Sequence, residues 1–183
     1  MSLSINEIFF KNVCVFSPKT YSDNRGYFFE SWNKKSFNKL LDVNYDFVQD
    51  NHSISVEGTL RGLHYQFPNP QGKLVRVTSG EIFDVIVDIR ESSSTFGQWR
   101  GVNLSSDNMK QIWIPPGFAH GFLTLSSKAE VLYKTTDYWH KENEKTIIWN
   151  DKDISIDWPA TKKVIISEKD QNGIIFKKAQ YFK

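Results

Sequence analysis

Four histidines are the natural place to look for proton transfer, because imidazole is the one side chain whose ordinary pKa, about 6.5, lies near neutrality. They stand in "DNHS" (His52), "LRGLHYQ" (His64), "FAHGF" (His120) and "YWHK" (His140). His64 has the most telling neighbours. "TLRGLHYQ" places it and Arg61 in an otherwise apolar run with Gly62 between them, and both side chains are costly to bury. Three readings are open: metal ligand, catalytic base, or a polar group turned to water.

A metal needs three or four ligands converging on one point. His64 is followed by Tyr65 and Gln66 rather than by a second histidine two residues on, and His52, His120 and His140 have no close histidine partner. No metal site is expected. Nucleophilic catalysis lacks a Gly-x-Ser-x-Gly elbow, and Cys14, the only cysteine, lies in the apolar run "VCVF", where a thiol packs as a small hydrophobe. No glycine cradle for phosphates is present either. Acid–base chemistry survives. In a strand, Arg61 and His64 fall on opposite faces by parity unless Gly62 introduces a bulge. "QGKLVR" supplies Lys73 at a strand start, and "FVQDNH" supplies Gln49 and Asn51 on one face. Each has a plainer reading: His64 as a satisfied structural histidine, Lys73 as a solvated strand end. Spacing does not decide between them.

The elements that must hold these groups are mostly strands. In "EIFDVIVDIR", Phe83, Val85, Val87 and Ile89 fall on one face, and Ile82, Asp84, Ile86 and Asp88 on the other. "KLVRVTSGEIF" reads as two strands joined through Ser79-Gly80, and "QIWIPPGFAHGFLTL" as two strands around a Pro-Pro-Gly corner. "AEVLYKTTDYW", "KTIIWN" and "KVIIS" are further strands. "NKKSFNKLL" predicts one short helix capped near Asn33, and "SEKDQNGIIF" a turn. Many short strands at close intervals predict an antiparallel sandwich or barrel, with ligands in the cavity lined by every second residue.

At 183 residues, with 39% apolar and 15% aromatic content, the chain is read as one domain, 1–183, with a packed core. Its rings are numerous enough that some are expected at a ligand cleft or a subunit interface. The net charge of +2 comes from interspersed signs, which speaks against nucleic acid as a partner. One cysteine excludes an internal disulfide. No apolar run approaches the roughly 20 residues of a membrane span, and "MSLSINEIFF" lacks a leader pattern. A cytoplasmic protein without membrane contact is expected.

"RGYFFES", "FVQDNHSIS", "LRGLHYQ", "QGKLVRVTSGEIFDVIVDIR", "SSTFGQW", "QIWIPPGFAHGF", "VLYKTTDY" and "ISEKD" follow one another from about Val13 to Asp170. In that order and spacing they resemble the dTDP-4-dehydrorhamnose 3,5-epimerases. The resemblance implies an all-β, cupin-type jelly-roll barrel with a few short helices. It also implies a homodimer with strands exchanged across the interface, and no metal or organic cofactor. The substrate would be a dTDP-linked 4-keto-6-deoxy sugar, inverted at C3 and C5 on the way to dTDP-L-rhamnose. By the same resemblance His64 is the base, steered by Asp170, and Tyr133 is the acid. Lys73 stabilises the enolate, and Arg61 and His120 line the sugar pocket. Arg25, Glu30, Gln49, Asn51, Glu144 and Lys169 match positions that contact the nucleotide sugar, with Arg25 and Glu30 reaching a neighbouring subunit's site. Where the family stacks a tyrosine on thymine, "DYWH" offers Trp139 beside Tyr138, and either ring has the flat π-surface that stacking needs. The other readings to weigh are an epimerase acting at C3 or C5 alone on a related sugar, a non-catalytic cupin that binds sugar nucleotides, and a metal-dependent cupin enzyme.

Overall fold

The computed structural model describes residues 3–183; Met1 and Ser2, the start of the N-terminal stretch discussed above, lie outside the described residues. In chain order the strands are β1 (Leu3–Phe9), β2 (Val13–Pro18), β3 (Thr20–Asp23), β4 (Gly26–Phe29), β5 (Gln49–Val56), β6 (Thr59–Gln66) and β7 (Lys73–Ser79). They continue with β8 (Glu81–Asp88), β9 (Trp99–Ser105), β10 (Gln111–Ile114), β11 (Phe118–Thr124), β12 (Lys128–Thr135), β13 (Glu144–Thr146) and β14 (Ile165–Ile166). The helices are α1 (Lys34–Leu41) and α2 (Glu168–Gln171). One sheet has the order β1-β2-β10-β7-β12-β5 and the other β13-β6-β11-β8-β9, with β14 joining β6 in parallel. β3 and β4 form a separate hairpin. The fold is all-β and cupin-like.

The period-two pattern of β8 holds, but it divides two cores rather than core from solvent. Ile82 and Ile86 point between the sheets, among Val75, Val77, Phe118, Phe122 and Val131. Val85, Val87 and Ile89 point the other way, against Leu63, Tyr65, Ile147 and Phe176. Each of these aliphatic side chains is fully or almost fully buried, which stabilises the fold by about 1.5–3 kcal/mol apiece. A third cluster covers the outside of the first sheet: Phe37 of α1 packs on Phe16 and Trp113, joined by Trp32 and Phe47. Much of the aromatic surplus is therefore structural. Tyr21, Tyr27 and Phe28 on the β3–β4 hairpin are exceptions, at 57–70% exposed, as are Tyr138 and Trp139.

Both expected strand pairs exist, and each crosses from one sheet to the other instead of forming a hairpin. β7 passes to β8 through Gly80, whose φ is +77° and whose absent Cβ would meet the Lys128 carbonyl at 2.0 Å. β10 passes to β11 through Pro115-Pro116-Gly117. The helix forms where Asn33 caps it, accepting the Ser36 N–H at 2.9 Å. "KTIIWN" and "KVIIS" pair over only three and two residues. No helix among the described residues is long and apolar enough to cross a membrane.

Candidate active site

Between the sheets the barrel is apolar at one end and polar at the other. The polar end opens as a cleft lined by Gln49, Asn51, His64, Tyr65, Gln66, Gln71, Lys73, Tyr133, Trp139 and Glu144. Gln49, Asn51, Lys73 and Tyr133 come from β5, β7 and β12 of the first sheet, and His64 and Glu144 from β6 and β13 of the second.

The parity problem of "LRGLH" is resolved by a bulge. Along the β6–β11 ladder His64 faces His120 and Arg61 faces Phe122, so Gly62 and Leu63 together oppose Gly121 alone. The bulge requires glycine: φ is +122°, and a Cβ would meet Gly121 Cα at 2.5 Å and the His120 carbonyl at 2.8 Å. The extra residue cancels the odd spacing. Arg61 Nε reaches Ser55 Oγ at 3.0 Å, and its charge is felt at Tyr133.

The bulge also frees a donor. Gly62 N–H gives a 3.2 Å hydrogen bond to Asp170 Oδ2, while Asp170 Oδ1 lies 2.7 Å from His64 Nε2. Asp170 is carried inward by α2, whose cap Ser167 accepts the Asp170 N–H. Burial works to raise the Asp170 pKa, but the bonds from His64 and Gly62 outweigh it and hold the carboxyl below its ordinary range. An ionised carboxylate only accepts, so Nε2 of His64 carries the proton and Nδ1 the lone pair. Burial, assisted by Lys169 and Lys73, lowers the His64 pKa despite the pull of Asp170. The ring is therefore a neutral base near pH 7.

Lys73 faces it across the cleft. Burial pushes its pKa down to about 8, against the attraction of Asp84 and Glu144 and with the repulsion of Lys169. Burial likewise raises the Tyr133 hydroxyl, which stays protonated at neutral pH. Glu144 is tied to Lys169 at 2.8 Å. Gln49 donates to Asn51 Oδ1 at 2.9 Å and accepts the Trp139 N–H at 3.0 Å. Of the adjacent rings, Trp139 lines the cleft, whereas Tyr138 is 58% exposed outside it.

Besides Tyr138, six expected residues do not line the open cleft: Asp170 and Lys169 reach it through His64 and Glu144, and four others stand apart. Arg25 sits at the tip of the β3–β4 hairpin, paired with Asp23 at 2.6 Å, and Glu30 accepts a bond from Asn33. Arg61 stands beside the cleft without lining it. His120 is buried behind the wall, its Nε2 2.8 Å from Asp84 Oδ2. Four contributors escaped the sequence reading, Tyr65 of the cleft lining among them. Gln66 pins the 138–140 segment, donating to the Tyr138 carbonyl at 3.1 Å and accepting the His140 N–H at 2.6 Å. Gln71 adds to the lining. Asp84 had a visible signal, a carboxylate on the same face as Ile82 and Ile86. No group of three or more His, Cys, Asp or Glu side chains among the described residues is arranged to hold a metal ion.

Such an arrangement sets a base and a phenol on opposite sheets around one cleft that a lysine also lines, as proton abstraction beside a carbonyl requires. Comparison with known proteins bears on the same chemistry. The family model described as dTDP-4-dehydrorhamnose 3,5-epimerase matches residues 7–178. A protein of that name from Pseudomonas aeruginosa is 54% identical over 171 residues, covering 93% of this chain and 94% of the relative. The crystal structure of the dTDP-6-deoxy-D-glucose-3,5-epimerase of Legionella pneumophila, in complex with dTDP-4-keto-L-rhamnose, superimposes with a TM-score of 0.95 at 48% identity, covering 97% of this chain and 95% of that one. The enzyme of Bacillus anthracis with TDP and pyrophosphate bound gives 0.91 at 45% identity, covering 94% and 99%. The chain belongs to the dTDP-4-dehydrorhamnose 3,5-epimerase family.

Proposed function

We propose that this protein is a dTDP-4-dehydrorhamnose 3,5-epimerase, converting dTDP-4-dehydro-6-deoxy-D-glucose to dTDP-4-dehydro-L-rhamnose. The 4-ketone makes the C3 and C5 hydrogens weakly acidic, because the electron pair left behind spreads onto O4. Nδ1 of His64 takes the proton, and Asp170 stabilises the imidazolium that forms. Lys73 holds the developing negative charge on O4, a contribution of about 3–4 kcal/mol for a good donor. Tyr133 returns a proton to the opposite face, which turns exchange into inversion. The steps as written draw on no metal or organic cofactor. The observation that carries the reading is the convergence of His64, with its carboxylate, and Tyr133 on one cleft from opposite sheets.

Turnover of dTDP-4-keto-6-deoxyglucose in heavy water should leave two solvent-derived deuterons in the sugar by proton NMR. One deuteron would make the protein a single-site epimerase, and none would end the proposal. Tyr133→Phe should impair net inversion more than exchange at C5; equal losses would remove the tyrosine from the acid role.

Around the sugar, Gln49, Asn51, Arg61, Glu144 and Lys169 would hold the nucleotide sugar, with Trp139 against the thymine. The whole chain, 1–183, would act as one domain, in the cytoplasm. A lone, unpaired Cys14 supports that compartment, and recovery of the protein from an extracellular fraction would refute it. The working form would be a homodimer. Its support is the β3–β4 hairpin, which carries Arg25 away from its own cleft together with three exposed aromatic rings. Mixed Arg25→Ala and His64→Ala chains should recover up to about a quarter of the activity through one intact shared site. No recovery on mixing would argue that each chain completes its own cleft.

A further inference from the structure

Asp84 is fully buried between the sheets, yet only one of its oxygens is used. Oδ2 accepts from His120 Nε2 at 2.8 Å, while Oδ1 has no hydrogen-bond partner among the described residues. A buried carboxylate with an idle oxygen costs several kcal/mol unless a cation answers it. The carboxylates around Lys73 differ in how far they are occupied. Glu144 is engaged by Lys169, and Asp170 by His64 and Gly62. The Lys73 ammonium makes no ion pair or hydrogen bond among the described residues; Glu144 keeps one oxygen free of protein partners on a side chain 22% exposed, whereas the idle oxygen of Asp84 is fully buried.

We propose that Asp84 is a positioning residue for the enolate half of the reaction: one oxygen fixes the His120 ring and the other supplies the counter-charge for Lys73. This rests on the function proposed above. With Nε2 facing Asp84 Oδ2, His120 is held with Nδ1 directed away from Asp84, and Nδ1 makes no hydrogen bond among the described residues. The groups acting on Lys73 are Asp84 on β8, Glu144 on β13, Lys169 on α2 and His64 on β6. Asp84 exerts the larger of the two attractions, ahead of Glu144, that keep the ammonium charged. Without it, Lys73 loses its proton at a lower pH.

The test is the pH profile of kcat for Asp84→Asn, with circular dichroism to verify the fold. Asparagine keeps an acceptor for His120 and removes the charge. The unaltered enzyme should lose activity as pH rises through about 8, where Lys73 deprotonates. In the variant this limb should move down by about one pH unit or more, so that kcat should fall about twofold or more at pH 7 and about fivefold or more at pH 8. Part of the loss should then return at pH 6.5. A loss of equal size at every pH, with the limb unmoved, would reduce Asp84 to a tie between β8 and β11 and overturn the proposal. Should the variant not fold, nitrogen NMR of the unaltered protein decides instead, with the His120 ring assigned by His120→Asn. Its Nε2 should carry a proton, and its signals should shift with a midpoint near the Lys73 titration. A ring unprotonated at Nε2, or silent in that range, overturns the inference. An unaltered enzyme that places no deuterons in the sugar would sink the function itself. An active enzyme with an unmoved limb sinks only the role of Asp84.

Discussion

Two histidine–carboxylate pairs stand side by side in this barrel, and they are not equivalent. His64 and His120 are direct neighbours across the β6–β11 ladder. Each presents Nε2 to a buried aspartate, at 2.7 and 2.8 Å. Asp170 is saturated, receiving His64 on one oxygen and Gly62 N–H on the other. Asp84 receives His120 alone. The His64 side chain is 26% exposed toward the cleft, and that of His120 is 9%. A saturated carboxylate can do little but orient and stabilise its ring. One with a spare oxygen acts on a second group, so the same pair of residue types does two jobs according to what else touches the aspartate.

The largest effect should come from breaking the first pair. His64→Ala should lower product formation by about 10³-fold and abolish deuterium entry at C3 and C5 while the sugar nucleotide still binds. His120→Ala should cost about 10²-fold and leave measurable exchange. If both variants lost exchange equally, the division of roles would be wrong. Gly62→Ala attacks the first pair through its backbone donor. The strained φ and the clash with Gly121 should cost about 2 kcal/mol, roughly 4–8 °C in Tm, with kcat falling more than KM rises. A variant as stable as the parent would mean that the bulge is not what holds the dyad. The smallest effect should lie outside both pairs. Trp139→Ala should raise KM about tenfold, the scale of losing one aromatic stacking contact, and Tyr138→Ala should change little. Comparable KM values for the two variants would show that the exposed tyrosine shares the base.

What was legible beforehand follows from which interactions are local. The alternation of β8, the Asn33 cap and the Gly80 and Pro-Pro-Gly corners are written within a few residues each and appear where expected, while the turn expected of "SEKDQNGIIF" is a short helix capped by Ser167. The relation of Arg61 to His64 was not readable, because Gly62 bulges only where the Gly121 backbone comes close. Asp84 could be seen as a misplaced charge, but its partner lies 36 residues away on another strand. The β3–β4 hairpin drew no strand assignment, since its residues are largely exposed on both faces and carry no inside–outside contrast. Most site roles came from eight ordered motifs resembling a family, not from spacing.

The carboxylate that orients His64 is 106 residues further along the chain. It arrives on a four-residue helix that follows a two-residue strand docked in parallel on β6. Apart from β14 on β6, the strand ladders of the two sheets use none of these residues. A nascent or refolding chain can thus close its barrel and still be inert, waiting for a short latch near residue 170 to snap home. Fraying of that latch would silence the enzyme well before its architecture melts.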